Sequence, residues 1–165
     1  MNSQKELTAN DIMTKDVIVV SPNTPLLEAA EKMTKNFFNG LPVVDESNTV
    51  VGIITEYDLL TREGAIHLPT FIRLFARYPQ ERPENLLVQG NLREVLNFTV
   101  KDMMNPEPLL LRAETSIEEV MQTFAQHHKV NPIPIVSPDR KLVGIVSRYD
   151  IIKFYAKMSS GERKS

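Results

Sequence analysis

Two pairs of residues, each a hydroxyl followed three positions later by a carboxylate, are the strongest candidates for chemistry. Thr55 and Asp58 form one pair, and Ser147 and Asp150 form the other. Each pair follows an apolar run, where a strand gives way to a helix, so it can satisfy free N–H groups of the first helical turn as a capping box. The same position suits a ligand. A helix N-terminus attracts phosphate, and a carboxylate there can accept hydrogen bonds from two neighbouring sugar hydroxyls.

A glycine stands three residues before each hydroxyl, at Gly52 and Gly144. Both glycines interrupt apolar runs with strand character. Glycine weakens strand packing but lets another backbone or a ligand approach closely. Helix capping alone does not require it, so the combination favours a binding site over a purely structural cap.

The two pairs belong to two copies of one sequence unit. Residues 51–58 match residues 143–150 at an offset of 92 positions, and residues 41–44 match residues 133–136 at the same offset. Further upstream, Asp11-Ile12-Met13-Thr14 matches Asp102-Met103-Met104-Asn105 at an offset of 91. The second copy therefore carries one extra residue, which we expect in the loop around 129–132.

Each copy has the pattern β-α-β-β-α. The patterns of apolar residues and turns predict extended runs at 17–20 and 109–111, helices beginning near Leu26 and Ile117, strands at 41–44, 50–54, 133–136 and 142–146, and second helices beginning at Thr55 and Ser147. A unit of this size buries too little surface to be stable alone. We therefore expect an α/β (α+β) fold in which the two copies pack with pseudo-twofold symmetry and form two equivalent clefts.

The segment 61–98 belongs to neither copy. Within it Phe71, Leu74, Phe75 and Tyr78 have the spacing of an amphipathic helix. This insert is either a helical linker that packs on its own module or a docking surface for a second subunit or a partner. Residues 156–165 are expected to form a flexible C-terminal tail.

Composition excludes several classes of function. The chain has 165 residues, 42% of them hydrophobic, and a formal net charge of −2, which argues against a binder of nucleic-acid phosphates. It has no cysteine, so disulfides, thiolate metal sites and cysteine nucleophiles are excluded. The polar N-terminus and the lack of a long apolar stretch predict a soluble, cytoplasmic protein.

The motif Gly-h-h-[Thr/Ser]-x-x-Asp, where h is apolar, follows an h-Pro-h-Val strand in both copies and resembles the CBS domain family. The resemblance covers 8–60 and 99–155. Members that bind adenosine ligands hold the ribose through the aspartate, keep the hydroxyl near ribose or phosphate, and place the base between apolar strand residues. The implied ligand-binding residues are Thr55, Asp58, Ser147 and Asp150, the flanking Tyr57 and Tyr149, and Ile53 and Ile145 in the adenine slot.

The family also uses residues just before the h-Pro-h strand and at the start of the first extended run, often from the opposite copy. Here these are Asn39, Gly40, Asn131, Pro132, Met13 and Ile18. Relatives often place a basic residue in this region. The second copy offers His127, His128 and Lys129, and Arg148 could also serve, so we expect the second copy to contact phosphate better. His127 and His128 also have a structural interpretation, because imidazoles interact favourably with a helix C-terminus.

The resemblance implies a regulatory module rather than an enzyme, and the sequence has no P-loop, nucleophile elbow or acid–base pair. The expected ligands are AMP, ADP and ATP, with S-adenosylmethionine or a dinucleotide as alternatives and no required cofactor. The resemblance also implies a homodimer. It implies an unidentified partner protein as well, because the chain lacks the catalytic or transport domain that such modules often control. The alternative is a structural dimerisation module with no physiological nucleotide.

Overall fold

The structure is a computed structural model that describes residues 6–61 and 98–159, with side chains described up to residue 59 in the first range. The first copy contains α1 (Ala9–Ile12), α2 (Leu26–Asn36), β1 (Gly40–Val44), β2 (Val50–Thr55) and α3 (Glu56–Thr61). The second copy contains α4 (Val100–Met103), α5 (Ile117–Gln126), β3 (Ile133–Val136), β4 (Leu142–Val146) and α6 (Arg148–Ser159). The amphipathic helix predicted at 71–78 lies outside the described residues.

Each copy is built on an antiparallel hairpin. Gly40 of β1 lies opposite Thr55 of β2, and Ile133 of β3 lies opposite Val146 of β4. The mixed fold class and the order of elements are as predicted. The first extended run of each copy is reduced, however, to one parallel bridge, from Val20 to Val43 and from Leu111 to Ile135.

Two short helices, α1 and α4, precede these elements and were not predicted. Each begins with its own hydroxyl–carboxylate pair. In α1, the Thr8 N–H and Oγ1 donate to Asp11 Oδ2 at 3.0 and 3.1 Å. In α4, the Thr99 N–H and Oγ1 donate to Asp102 Oδ2, both at 2.8 Å. These capping boxes explain how helices of four residues have a defined start.

The short helices are exchanged between the copies. Ala9 and Ile12 of α1 are buried in the core of the second copy, with Ile117, Val120 and Phe124 of α5. In the same way, Val100 and Met103 of α4 are buried in the core of the first copy, with Leu26, Ala29 and Met33 of α2. Each copy therefore completes the hydrophobic core of the other, and neither 8–60 nor 99–155 is a self-contained folding unit.

The two strand glycines make room for the chain that follows each exchanged helix. A Cβ at Gly144 would lie 2.5 Å from Met13 Sδ, and a Cβ at Gly52 would lie 2.7 Å from Met104 Sδ. Beside Gly144, the N–H of Thr14 donates to Ile145 O and the N–H of Ile145 donates to Thr14 O, both at 2.9 Å. The close approach that the glycines permit is thus that of another backbone rather than that of a ligand.

The ends of the two hairpins also meet about the pseudo-twofold axis. The N–H of Val50 donates to Arg140 O, and the N–H of Leu142 donates to Asn48 O, each at 3.0 Å. Lys141 Nζ adds a bond of 2.6 Å to Ser47 O. A small buried cluster of Val44, Val50 and Val136 lies beneath these bonds. The expected packing of the two copies is therefore present.

Helix α6 continues to Ser159, so residues 156–159 of the predicted flexible tail are helical. Ala156, Lys157 and Met158 are good helix formers, and the first glycine after them is Gly161. Within the described ranges, no helix is long and apolar enough to cross a membrane.

Candidate functional site

A cleft of about 500 Å³ lies between the two copies. The first copy supplies the start of its extended run and the loop between α2 and β1, and the second copy supplies β4 and the first turns of α6. The lining residues are Thr14, Asp16, Val17, Ile18, Asn36, Phe37, Phe38, Asn39, Gly40, Leu41, Pro132, Ile145, Ser147, Tyr149, Asp150 and Lys153.

Eight of the predicted ligand-binding residues lie in this one cleft. They are Ile18, Asn39, Gly40, Pro132, Ile145, Ser147, Tyr149 and Asp150. Residues 17 and 18 of the first extended run line the cleft, and Val20 makes the single bridge to Val43. The cleft thus joins an apolar wall, a hydroxyl and a carboxylate, as the sequence predicts.

Asp150 divides its two oxygens between two tasks. Its Oδ2 accepts hydrogen bonds from the Ser147 N–H at 2.7 Å and from Ser147 Oγ at 2.6 Å. The Asp150 N–H donates to Ser147 Oγ at 3.3 Å, which completes a capping box at the start of α6. Among the described residues Oδ1 has no hydrogen-bond partner. Helix capping and ligand binding are therefore compatible in this residue.

The same capping geometry occurs at four helix starts, at α1, α3, α4 and α6. The boxes of α1 and α4 are exposed, whereas those of α3 and α6 are partly buried. In α4, the hydrogen bond from the Thr99 N–H holds the pKa of Asp102 below its usual value, with help from Thr99 Oγ1. Capping therefore does not mark a ligand site, and position in a cleft is what separates Asp150 from Asp102.

The carboxylate of the first copy has equivalent local geometry. Asp58 Oδ2 accepts hydrogen bonds from the Thr55 N–H at 2.8 Å and from Thr55 Oγ1 at 2.6 Å. Thr55 is a buried polar residue at the end of β2. Tyr57 stands between these two residues in the chain, and Lys129 Nζ lies 5.0 Å from its ring centroid. A hydrogen bond with the Tyr57 side chain raises the pKa of Lys129 above its usual value.

Lys129 was expected to serve the second copy, and the structure corrects this. The loop before each h-Pro-h strand reaches across the pseudo-twofold axis. The loop with Asn39 therefore lines the cleft of Asp150, and Lys129 lies over the ring of Tyr57 in the first copy. The basic residue thus contacts the residue that precedes Asp58 in the chain.

Arg148, which was also predicted to bind ligand, makes several structural contacts. Its guanidinium donates to the carbonyl oxygens of Phe124, His127 and His128 at 3.1, 3.2 and 3.1 Å, and it lies 5.0 Å from the Phe124 ring centroid. These carbonyls are at the C-terminal end of α5, where helix carbonyls lack intrahelical partners. The side chain does not line the cleft.

Three other predicted residues also have structural contacts. Met13 packs against Gly144, and Ile53 is buried and paired with the backbone of Asn105. Asn131 accepts a hydrogen bond from the Arg148 N–H at 3.0 Å and donates to Asn39 Oδ1 at 3.4 Å. Neither Met13 nor Ile53 lines the cleft of Asp150.

Several cleft residues were missed by sequence reasoning. Lys153 lies on α6 three positions after Asp150, a spacing that places both on one helix face. Asp16 adds a second carboxylate, and Phe37 and Phe38 add two aromatic rings. The Phe-Phe pair directly after α2 was the available signal, because adjacent residues do not share one helix face, so both rings cannot continue the apolar stripe. The cleft thus combines carboxylates, one ammonium group and an aromatic rim, a set suited to binding a polar ligand with a planar part.

Comparisons with known proteins agree with this architecture. Residues 9–64 and 100–157 match the model of the CBS domain family. The chain is 31% identical over 162 residues to the chloroplastic CBS domain-containing protein CBSX1 of Arabidopsis thaliana, covering 96% of this chain and 68% of that one. It is 28% identical over 145 residues to an inosine-5'-monophosphate dehydrogenase of Methanocaldococcus jannaschii, but covers only 23% of that enzyme.

A solved structure of CBSX2, also from Arabidopsis thaliana, in complex with AMP superposes with a TM-score of 0.68. Sequence identity is 26%, and the match covers 93% of this chain and 98% of that one. The family match takes in both hairpins, both capped carboxylates and both exchanged helices. The chain therefore belongs to the CBS domain family, as a tandem pair of CBS domains.

Proposed function

We propose that this protein is a regulatory module that binds an adenosine nucleotide in the cleft of Asp150 and transmits the binding to a partner protein. The observation that carries the proposal is the cleft itself, where a capped carboxylate with one unused oxygen faces apolar walls from both copies. The AMP complex of CBSX2, a relative of the same fold, supports an adenine nucleotide as the ligand. AMP is the leading candidate, with ADP and ATP next and S-adenosylmethionine as the alternative.

Each part of the cleft has a task in this proposal. Asp150 Oδ1 accepts hydrogen bonds from the ribose hydroxyls while Oδ2 keeps α6 capped. Ile18 and Ile145 form the apolar wall that the base packs against. Lys153 supplies the positive charge in the cleft, which suits a phosphate.

Transmission follows from how the walls of the cleft are shared. The first copy contributes Ile18 and Asn39 and the second contributes Ile145 and Asp150, so a bound ligand contacts both. A ligand changes an arrangement only when its affinity differs between two arrangements. A nucleotide that bridges the copies has that property, because its affinity depends on how the copies are placed.

The carboxylate of the first copy is proposed to form a second, unequal site. Asp58 and Thr55 repeat the capped geometry of Asp150 and Ser147. The loop before β3 supplies Lys129 on this side, whereas the loop before β1 supplies Phe37 and Phe38 to the cleft of Asp150. We therefore expect two sites of different affinity.

A structural dimerisation module is the second candidate, and one observation favours it. Helix α6 exposes the large apolar side chains of Ile152, Tyr155 and Met158. Exposed apolar side chains close together on one helix are typical of an interface. Light scattering would show whether the chain is a homodimer, which is compatible with either candidate function. The ligand titration below separates the two.

Calorimetric titration with AMP, ATP and S-adenosylmethionine tests the proposed function. We compare the wild type with Asp150→Asn and with the matched control Asp102→Asn, which changes an equivalent capping box outside the cleft. Both variants should lose part of a cap, a loss of about 0.5–2 kcal/mol in the free energy of unfolding. Only Asp150→Asn should lose AMP binding at one site.

Two outcomes would reject the proposal. If the wild type gives no heat with any of the three ligands up to millimolar concentration, the structural dimerisation module is the remaining candidate. Equal affinity in both variants assigns Asp150 to capping alone. Incubation with ATP followed by product analysis tests the remaining rival, an enzyme, and we expect no turnover.

A further inference from the structure

Phe37 is the most exposed side chain among the large apolar residues of the cleft. It is 94% exposed, compared with 69% for Tyr149 and 41% for Phe38, which also line the cleft. A phenyl ring in that position is almost fully hydrated. Its burial would release more water than that of any neighbouring ring, and hydration of apolar area is unfavourable.

The backbone at Phe37 is also unfavourable for a phenylalanine. Phe37 ends α2 with φ 56° and ψ 40°, in the left-handed region. There Cβ crowds the following carbonyl oxygen, which is why glycine or asparagine normally occupies this position at a helix end. The helix end needs the backbone conformation, in which the Phe38 N–H donates to Met33 O at 2.9 Å, but it does not need the ring.

The other non-glycine residues described with positive φ have an evident structural reason. Asn48 and Arg140 lie at the hairpin ends, with φ of 61° and 63°. Asn48 Nδ2 donates to Leu142 O at 3.1 Å, and the Arg140 guanidinium donates to Val50 O at 3.4 Å, so both side chains join the two copies. The ring of Phe37 makes no comparable contribution at 94% exposure.

The feature is restricted to one of the two carboxylates. The loop before β1 brings Phe37 and Phe38 to the cleft of Asp150. The corresponding loop before β3 brings Lys129 to Tyr57, beside Asp58. The two loops occupy related positions about the pseudo-twofold axis, so an aromatic rim on one side replaces a cationic rim on the other.

We propose that Phe37 is an aromatic flap that closes over the ligand held by Asp150 and makes this cleft selective for a planar, base-containing ligand. The inference rests on the proposed function and names the group that sets the ligand class of that cleft. The ring rotates about its side-chain dihedrals onto the exposed face of the bound base. It gains by stacking and by loss of hydration, which offsets the cost of its backbone conformation.

Two substitutions separate the ring from the backbone strain. Phe37→Gly removes both, so the melting temperature without ligand should rise by about 2–5 °C, while AMP affinity should fall by roughly 5- to 100-fold. Phe37→Ala removes the ring but keeps a Cβ in the left-handed region. It should lose the same affinity without the gain in melting temperature.

A third substitution reports the closure directly. The chain has no tryptophan, so Phe37→Trp introduces a single indole fluorophore. AMP should shift its emission to shorter wavelength as the ring is buried. The same variant combined with Asp150→Asn is the control, and its emission should not respond at that AMP concentration.

The outcomes that overturn the flap differ from those that overturn the proposed function. If the wild type binds AMP and Phe37→Gly and Phe37→Ala bind it with the same affinity, the flap is rejected and the nucleotide site is kept. AMP binding to Phe37→Trp without an emission shift has the same consequence. If Phe37→Gly changes the oligomeric state but not the affinity, the ring is an interface contact and the flap is wrong. A wild type that does not bind AMP rejects both.

Discussion

Lys129 Nζ of the second copy lies 5.0 Å from the ring centroid of Tyr57 in the first copy, the residue that precedes Asp58. This contact is the counterpart of the one made by the loop before β1, which lines the cleft of Asp150. Each candidate site is therefore assembled from both copies. Charge and aromatic character at a given carboxylate are set by the loop of the opposite copy.

Lys129→Met should weaken nucleotide binding at Asp58 only. The substitution removes a positive charge that is solvent-exposed, so we expect a loss of about two- to fivefold in AMP affinity and a weaker dependence on salt. Titrations in an Asp150→Asn background measure the Asp58 side. The same substitution in an Asp58→Asn background is the control, and an equal loss in both backgrounds would contradict the cross-copy assignment.

Gly144→Ala should destabilise the fold, because the added Cβ would lie 2.5 Å from Met13 Sδ and 3.2 Å from Thr14 O. Overpacking of this kind costs about 1–3 kcal/mol in the free energy of unfolding, measured by urea denaturation. Combining it with Met13→Ala removes the main contact, so the double variant should lose less than the sum of the two single losses. Strict additivity would show that Met13 is not what the glycine accommodates.

Arg148→Met should lower the free energy of unfolding by about 1.5–3 kcal/mol, because charged hydrogen bonds to the end of α5 are lost. Arg148→Lys keeps the charge but not the planar fork, and should fall between the wild type and Arg148→Met. AMP affinity of the folded protein should not change in either variant. A loss of AMP affinity with no change in the free energy of unfolding would show that Arg148 contacts the ligand.

Asp102 should make the fold sensitive to acid. Its pKa is lowered in the folded chain from the ordinary value of 3.8, so the stability it contributes is present above about that pH and is lost as the pH falls through the folded pKa. We expect the urea midpoint of Asp102→Asn to decline less between about pH 5 and pH 3 than that of the wild type. If the urea midpoints of both proteins decline equally, other carboxyl groups cause the loss of stability in acid.

Local patterns in the sequence predicted much of this fold. The hairpins and α2 and α5 follow from short-range periodicity, and Thr55, Asp58, Ser147 and Asp150 form the capping boxes that their spacing allows. These features depend on neighbours within a few residues. The repeat then placed the same elements twice, which predicted the pseudo-twofold pair.

What the sequence did not predict are pairings between distant segments. The exchange of α1 and α4 joins Ala9 to Thr115 and Leu26 to Phe98, and no local period specifies such partners. The contacts of Met13 with Gly144 and of Lys129 with Tyr57 are likewise between distant segments. Phe37 was missed for another reason, since neither its left-handed backbone nor its exposure is visible in a pattern of apolar residues.

The exchange of α1 and α4 also constrains the order in which the chain can fold during synthesis. The buried cluster around Leu26, Leu41 and Ile54 includes Val100 and Met103 of α4. A ribosome that has made residues 6–61 has not yet made the helix that completes their core. Contacts between segments so far apart in the chain slow folding, because loop closure must come first. The first CBS domain is thus translated first but cannot reach its native core until the second has begun to emerge.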